Sequence, residues 1–304
     1  ARSRSQFSRG NQRKMHTLGR TGISVSRICL GTMTFGHQNT EAEGHQQMDM
    51  AAEHGVNFFD SAEMYPFPAN PKTYGRTDEI VGTWLAARGQ RDKIVVATKI
   101  AGPGARFEHI RGGSLKFDRT HLIQAVDDSL ARLRTDYIDL YQTHWPERPA
   151  NYFGKLGYNH DANAEWTPFE EMLDVMAEIE KAGKVRAFGI SNETPWGLME
   201  LMKLSESKGL PRMASIQNPY SLINRTFEVG LAEAAIRSVC GLLAYSPLGF
   251  GALTGKYLDG ALPEGSRGAL YPEFQRNFRP RGVEATARYV ALAREHGLDP
   301  ATMA

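Results

Sequence analysis

The chain has 304 residues, 41% of them hydrophobic and 23% charged, which is ordinary for a globular protein and enough for one large α/β domain or two small ones. No apolar run approaches the roughly 18 residues that a membrane-spanning helix needs, so we expect no membrane association. The net charge of +2 gives no reason to expect a nucleic-acid partner.

The start of the chain is strongly basic. Residues 1–14, ARSRSQFSRGNQRK, contain arginine and lysine but no aspartate or glutamate. We interpret this stretch as a disordered basic tail, which a transit peptide, translated upstream sequence or an expression remnant would each explain. We expect residues 15–304 to form a single domain.

The body of the chain alternates between strand-like and helical patterns. A Gly-Arg-Thr-Gly turn between two short runs predicts a β-hairpin before the first long strand. Seven strands are predicted at 26–31, 56–62, 93–100, 137–144, 185–192, 213–221 and 241–248. Helical patterns between them cover 41–55, 76–89, 119–134 and 167–184, the last with Thr167 as its N-cap and Pro168 in its first turn.

Strands that alternate with helices predict a parallel sheet. Seven such units favour an α/β fold of the (β/α)₈ TIM-barrel class with an N-terminal β-hairpin. The alternative is a doubly wound Rossmann sheet, which would carry a G-x-G-x-x-G turn after its first strand. The first strand here ends in GTMTFG, which does not fit that pattern.

Between Trp145 and Trp166 the chain is unusually long and rich in aromatic residues. Loops of more than about 12–15 residues are usually functional or disordered, and the aromatic content argues against disorder. In a barrel this loop would lie at the carboxyl end of the strands, where substrates bind. A loop that only stabilises itself is the alternative.

Polar residues stand where several predicted strands end, which is where barrel enzymes carry their chemistry. A lysine at the end of the third strand, Lys99, follows an apolar run and needs a counter-charge if it is buried. Asp60 on the neighbouring strand can supply it. The ammonium would then lie near Tyr65 and lower the pKa of the phenol, and His144 would donate a hydrogen bond to the same oxygen.

The predicted chemistry is therefore protonation of a carbonyl oxygen while something adds to its carbon. The sequence contains no H-x-H, H-E-x-x-H or C-x-x-C, so we expect no metal site. It has no G-x-S-x-G elbow either. Two cysteines, Cys29 and Cys240, lie beside apolar residues, and we interpret them as buried thiols of a reducing, cytoplasmic compartment.

Seven segments together resemble the aldo-keto reductases, most closely the Tas-like bacterial branch related to potassium-channel β subunits. In chain order they are GTMTFG, FFDSAEMY, ATKI, DYIDLYQTHWP, GKVRAFGISN, SIQNPYSLINR and LLAYSPLGFGALTGKY. The resemblance covers residues 15–304 and implies a (β/α)₈ barrel that reduces aldehydes or ketones with NADPH. It implies that Tyr65 is the general acid and that Lys99 lowers its pKa. Asp60 would anchor the lysine, and His144 would orient the carbonyl.

The resemblance also assigns a cofactor site. It implies that Ser191, Asn192 and Gln217 hold the nicotinamide amide, that Tyr245 stacks on the ring, and that Lys256 adds a positive charge near the pyrophosphate. The other implied cofactor contacts are Gly31, Thr32, Met33, Asp60, Ser246, Pro247, Leu248, Gly249 and Gly251. In the aromatic loop we expect Trp145, Tyr152 and Phe153 to contact a partly apolar carbonyl substrate.

Members of this family continue past GLDPATMA with an eighth strand and the segment that holds the adenosine 2′-phosphate. We therefore expect seven barrel strands within these 304 residues, with the barrel truncated before the eighth. Two other functions remain open: a catalytically weak nicotinamide-binding redox sensor or regulatory subunit, and a barrel that binds nothing.

Overall fold

The computed structural model of the protein describes residues 15–272 and 276–304. The predicted basic tail, residues 1–14, lies outside the described residues. Within this part of the chain every predicted strand is present, and no helix is long and apolar enough to cross a membrane.

The strands form two sheets. A small antiparallel hairpin pairs His16 with Val25 and Thr17 with Ser24, as predicted. The other sheet contains seven parallel strands in sequential order and closes almost completely into a barrel, which confirms the predicted fold class. The strands are β1 (His16–Thr17), β2 (Ser24–Val25), β3 (Cys29–Gly31), β4 (Phe58–Asp60), β5 (Val95–Ile100), β6 (Leu140–Thr143), β7 (Phe188–Ser191), β8 (Met213–Pro219) and β9 (Gly241–Tyr245).

Helices follow most of the strands and pack around the sheet. They are α1 (Glu41–Glu53), α2 (Arg76–Arg88), α3 (Arg119–Leu133), α4 (Phe169–Lys181), α5 (Pro195–Lys208), α6 (Leu231–Arg237), α7 (Arg267–Leu270), α8 (Pro280–Glu295) and α9 (Pro300–Met303). The prediction that Thr167 caps α4 is wrong, because the N-cap is Pro168. The Thr167 side chain hydrogen-bonds to Glu147 in the preceding loop instead, at 3.2 Å.

Alternation along the strands gives the barrel interior two layers. The first inward residues, among them Phe58, Val95 and Leu140, form an apolar cluster with Leu18 and Ile23 of the hairpin. The hairpin therefore covers the amino-terminal end of the barrel. Further along the same strands the inward positions carry the polar side chains of Asp60, Lys99 and Gln142, so the interior becomes polar toward the carboxyl end.

The outward residues of the strands pack under the helices in the main core. Phe59, Val96 and Ile100 are buried there with apolar residues of the surrounding helices. Helices α2 and α3 approach closely at Gly82, where a Cβ atom would lie only 2.2 Å from the carbonyl oxygen of Arg132. A glycine is needed at this contact because any side chain would push the two helices apart.

The two cysteines do not form a disulfide. Cys240 is buried, as predicted, whereas Cys29 on the edge strand β3 is only partly buried. The prediction that both thiols are buried is therefore right for one of them.

Candidate active site

The centre of the candidate site is a buried ion pair inside the barrel. Lys99 is fully buried, and its Nζ atom lies 2.5 Å from Oδ2 of Asp60 and 2.7 Å from the carbonyl oxygen of Ser61. Strands β4 and β5 pair in parallel, which brings the ends of both strands to the same edge of the sheet. The counter-charge that the sequence predicted for Lys99 is present.

A tight turn brings Tyr65 back over this pair. The chain leaves β4 at Asp60 and bends so that the N–H of Tyr65 donates to the carbonyl oxygen of Ala62 at 3.0 Å. The ammonium of Lys99 then lies 5.2 Å from the centre of the phenol ring. The hydroxyl of Tyr65 lies 3.4 Å from Nε2 of His144.

The four predicted catalytic residues therefore converge at the carboxyl end of β4, β5 and β6. Their side chains are all buried or nearly so, with Asp60 8% exposed, Tyr65 9% and His144 7%. All four residues lie at the carboxyl end of the parallel strands, which is the end from which ligands approach in barrel enzymes.

The pKa of Tyr65 differs from the sequence-based prediction. Burial raises the pKa of the phenol by more than the nearby ammonium of Lys99 lowers it. The predicted influence of the lysine is present, but the net shift is upward because desolvation disfavours the phenolate. For Lys99, burial lowers the pKa, but Asp60 and Tyr65 outweigh it, so the pKa is raised and the amine is charged.

His144 is neutral in this environment. Burial, and then the charge on Lys99, hold its pKa well below the ordinary value. A neutral imidazole carries one N–H group, and a proton on Nε2 points it toward the Tyr65 oxygen. The ring also contacts Trp145, with centroids 4.9 Å apart.

A glutamine that the sequence analysis missed completes the surroundings of Asp60. Nε2 of Gln142 donates to Oδ1 of Asp60 at 2.9 Å, and Nε2 of Gln217 donates to the same oxygen at 3.1 Å. The amide of Gln217, which we expected to hold a cofactor amide, is thus directed at Asp60 here. Gln142 lies on β6 and His144 directly follows that strand two residues later, so continued alternation gives both side chains the same inward direction.

The other predicted cofactor residues form a hydrogen-bonded chain next to the ion pair. Nδ2 of Asn192 donates to the carbonyl oxygen of His144 at 2.9 Å, and Oδ1 of Asn192 accepts from the hydroxyl of Tyr245 at 2.7 Å. The hydroxyl of Ser191 donates to the backbone of Gln217 at 2.8 Å. These contacts place an amide, a hydroxyl and an aromatic ring around one side of the barrel mouth.

The remaining predicted contacts lie on either side of this group. Thr32 follows β3 and donates its hydroxyl to the backbone oxygen of Asp60 at 2.9 Å, while Met33 packs against the apolar cluster around Tyr65. After β9, the segment 246–256 turns tightly, with Gly249 and Gly251 at φ 57° and 91°. The amine of Lys256 lies 5.2 Å from the centre of the Tyr257 ring.

The aromatic loop contains no helix or strand between 145 and 166. The ring of Trp145 packs against Phe153, with centroids 5.7 Å apart, and Phe153 packs against Tyr152 at 4.9 Å. Both Tyr152 and Phe153 line a cavity of about 900 Å³ that also reaches Asn192. Oε1 of Glu147 accepts from the N–H of Thr167 at 2.9 Å and so closes the loop at its base.

A second polar cluster, also missed by the sequence analysis, lies behind the ion pair on the outer side of β4 and β5. Glu63 is completely buried, forms an ion pair with Arg111 and accepts the N–H of Ala101 at 2.5 Å. Asp78 of α2 accepts hydroxyl hydrogen bonds from Ser61 at 2.6 Å and Thr98 at 3.1 Å. Among the described residues, no group of histidine, cysteine, aspartate and glutamate could hold a metal ion.

Residues 27–304 match the family model described as the aldo/keto reductase family. This match covers most of the chain, and the chain belongs to that family. The family and the oxidoreductases among its relatives support an oxidoreductase activity in general.

Several individual proteins are similar to this chain over most of its length. The chain is 50% identical over 289 residues to Protein tas of Escherichia coli (strain K12), covering 95% of this chain and 84% of that protein. It is 37% identical over 246 residues to the uncharacterized oxidoreductase YrpG of Bacillus subtilis (strain 168), covering 79% and 68%. The chloroplastic pyridoxal reductase of Arabidopsis thaliana is 28% identical over 276 residues, with 85% and 66% covered.

Proposed function

We propose that the protein reduces an aldehyde or ketone to an alcohol with NADPH, and that Tyr65 is the general acid. The observation that carries this proposal is the convergence of Tyr65, His144 and the Asp60–Lys99 ion pair at the barrel mouth. A phenol beside a buried ammonium and a neutral imidazole can donate a proton and a hydrogen bond to a carbonyl oxygen as it becomes an alkoxide.

The residues next to this group fit a nicotinamide cofactor. Asn192 and Gln217 offer amide groups and Ser191 a hydroxyl, which together can pair with a carboxamide. Reaching a ligand would require Gln217 to exchange its bond to Asp60 for one to the cofactor. The cofactor would supply the hydride, and the ring of Tyr245, at the end of β9, would cover one face of its nicotinamide.

The protein's own side chains would then supply the proton that the carbonyl oxygen takes up. Because burial raises the pKa of Tyr65, the phenol is protonated at neutral pH and available as a donor. His144 donates a hydrogen bond to the substrate carbonyl oxygen, and Lys99 stabilises the phenolate once the proton has left. Asp60 keeps the ammonium in place, held in turn by Gln142.

For the substrate, we propose a partly apolar carbonyl compound. The support is the cavity of about 900 Å³ that meets the candidate site at Asn192, and to which Tyr152 and Phe153 contribute aromatic surface. Trp145 lies between this cavity and His144, in contact with both His144 and Phe153. A cavity of this size holds a molecule well beyond a short aliphatic aldehyde.

One observation favours a second candidate, a catalytically weak redox sensor that binds the cofactor. The Tyr65 hydroxyl is 3.4 Å from His144, which is long for a hydrogen bond, and the raised pKa makes the phenol a weaker acid. Tight cofactor binding without turnover on any carbonyl compound would support this alternative. The cytoplasmic location stays a prediction.

The test is NADPH oxidation with a panel of aldehydes and ketones, with NADH in parallel. The panel includes pyridoxal because the Arabidopsis relative is named a pyridoxal reductase. We expect Tyr65→Phe to lower kcat by about 10²–10⁴-fold, the usual contribution of a general acid. Tyr74→Phe is the matched control, since this phenol bonds to Arg132 on the outer side of the barrel. Unchanged turnover in Tyr65→Phe would refute the proposed acid.

A further inference from the structure

A buried ion pair joins the aromatic loop to the end of β7. Arg148 is 8% exposed and Glu193 5%. Their side chains form a two-pronged contact, with Nη1 3.0 Å from Oε2 and Nη2 2.6 Å from Oε1. Nη2 of Arg148 also donates to the hydroxyl of Thr194 at 3.0 Å. A bidentate pair of this kind fixes both position and orientation.

Aromatic rings hold the arginine from two other elements. The guanidinium lies 5.2 Å from the centre of the Phe169 ring in α4 and 4.8 Å from that of Trp196 in α5. The pair also contacts the start of α5 at Gly197, where a Cβ atom would be 2.3 Å from the Glu193 carboxylate and 2.7 Å from Nη2 of Arg148. The pair is therefore tightly packed on the side of Gly197, while its other side borders the cavity of about 900 Å³.

The residue directly before Glu193 is Asn192, whose backbone is strained. Asn192 has φ 54°, in the left-handed region that residues other than glycine seldom adopt, although asparagine does so more often than most. Such a conformation persists only where surrounding contacts enforce it. Its side chain is held by the backbone of His144 and the hydroxyl of Tyr245, and the ion pair of Glu193 holds the adjoining backbone.

The pair and the Asn192 amide connect the same two strand ends. The amide bonds to His144 directly after β6, and Arg148 lies four residues beyond His144 in the loop that follows. Two crosslinks at this point, one from Asn192 and one from Glu193, fix the distance between the ends of β6 and β7. His144 and Asn192 stand at those ends.

We propose that Arg148 and Glu193 are positioning residues for the reaction: by holding Asn192 in its strained conformation, they set the geometry of the nicotinamide amide site and of His144. This inference rests on the proposed function, because it assigns Asn192 to the cofactor. Neither Arg148 nor Glu193 would touch the reacting atoms. Their effect would pass through Asn192, so it should appear in cofactor affinity and not only in stability.

A similar ion pair at the opposite end of the barrel provides the matched control. Asp139, directly before β6, is 1% exposed and accepts from Arg91 at 2.8 Å and Arg186 at 2.5 Å. It resembles Glu193 in burial and in holding arginine, but lies at the amino-terminal end of the sheet. Loss of its charge should lower stability without reaching the barrel mouth.

The experiment compares Glu193→Gln with Asp139→Asn in the 304-residue protein. Three quantities are measured: the Kd of NADPH by quenching of protein fluorescence, KM and kcat for the best carbonyl substrate, and Tm. We expect Glu193→Gln to raise the Kd and to lower kcat/KM by about 10- to 100-fold, as a small misplacement near the reacting groups does. Asp139→Asn should lower Tm while leaving the Kd and kcat/KM unchanged.

Two further variants keep the test valid if Glu193→Gln folds poorly. Arg148→Lys preserves the charge but not the two-pronged contact, and should give an intermediate Kd. Gly197→Ala displaces the pair without removing either charge, and should raise the Kd as well. The inference is overturned if the variants lower Tm but bind and turn over like the wild type. If the wild type binds neither NADPH nor NADH, the proposed function and this inference both fail; if it binds and does not turn over, the Kd comparison alone decides the inference.

Discussion

Two buried ion pairs lie on opposite sides of the sheet near the carboxyl ends of β4 and β5, and their roles differ. On the inner face, Asp60 and Lys99 form an ion pair that borders Tyr65 and the barrel mouth. On the outer face, Glu63 and Arg111 form another, sealed between the strand ends and a following loop. Both carboxylates accept additional hydrogen bonds. In the outer pair, however, Oε2 of Glu63 and Nε of Arg111 are buried without a hydrogen-bond partner among the described residues.

The difference lies in what else each pair can reach. Asp60 keeps 11% of its side chain exposed at the mouth, while Glu63 keeps none. Strand alternation places the two sets of polar residues back to back, with Lys99 inward and Thr98 outward. The inner pair can therefore influence a ligand, and the outer pair can only hold the strands and the Tyr65 turn in place.

The largest effect is expected from Lys99→Met, which changes both stability and chemistry. Removing the ammonium leaves Asp60 as an uncompensated buried charge, which costs about 3–5 kcal/mol of unfolding free energy. It also removes the charge that stabilises the Tyr65 phenolate, so kcat should fall by about 10²-fold or more. Urea unfolding and NADPH oxidation measure the two effects. Lys184→Met, which breaks the exposed pair with Asp127, is the control and should change neither measurably.

Glu63→Gln should lower the unfolding free energy while leaving turnover largely intact. The variant leaves the guanidinium of Arg111 buried without a counter-charge, and we expect it to lose about 3 kcal/mol of unfolding free energy. Turnover should stay within about tenfold of the wild type, because the Tyr65 turn keeps its own backbone hydrogen bond. The comparison between the faces fails if Glu63→Gln abolishes turnover while the protein remains folded.

A smaller effect concerns pH and His144. In the unfolded chain a histidine takes up a proton as the pH falls below about 6.5, whereas burial and Lys99 keep folded His144 neutral to much lower pH. The unfolded state then binds more protons, so stability falls as the pH drops, by up to about 1.4 kcal/mol per pH unit. His144→Gln should lose this contribution. The difference in unfolding free energy between wild type and variant, measured from about pH 7 to about pH 5, should therefore shrink or reverse; a constant difference would contradict it.

The residues of the inner face could be predicted from sequence because each is marked by the pattern of its own strand. A strand pattern shows which residue stands last before a turn, and parallel strands bring those residues to one edge, which is how Asp60, Lys99 and His144 were found. The sign of the pKa shift of Tyr65 was predicted wrongly, because the sequence analysis expected Lys99 to lower the pKa and burial raises it. The extent of burial decides the sign. It depends on the packing of neighbours such as Trp145 and Ile110, which only the folded chain shows.

The outer face was missed for a different reason. Arg111 lies 48 residues from Glu63, in a loop without a regular pattern, and nothing in either stretch marks the two as partners. Gln142 could have been predicted from the sequence, because it lies two residues before His144 and alternation therefore points both side chains into the barrel. The start of α4 was misplaced because threonine is a typical N-cap residue. In the structure the Thr167 hydroxyl donates to Glu147 and does not cap the helix.

That contact of Glu147 has a consequence for how this protein could diverge. Glu147 accepts from the backbone of Phe117 and of Thr167 as well as from the Thr167 hydroxyl, so it fastens both ends of the aromatic loop to the barrel at one point. Beyond this fastening, residues 154–160 are exposed to solvent. Changes in the length or composition of that outer segment should therefore leave the strands undisturbed. Insertions and replacements there could exchange one range of substrates for another while the proton-transfer group remained as it is.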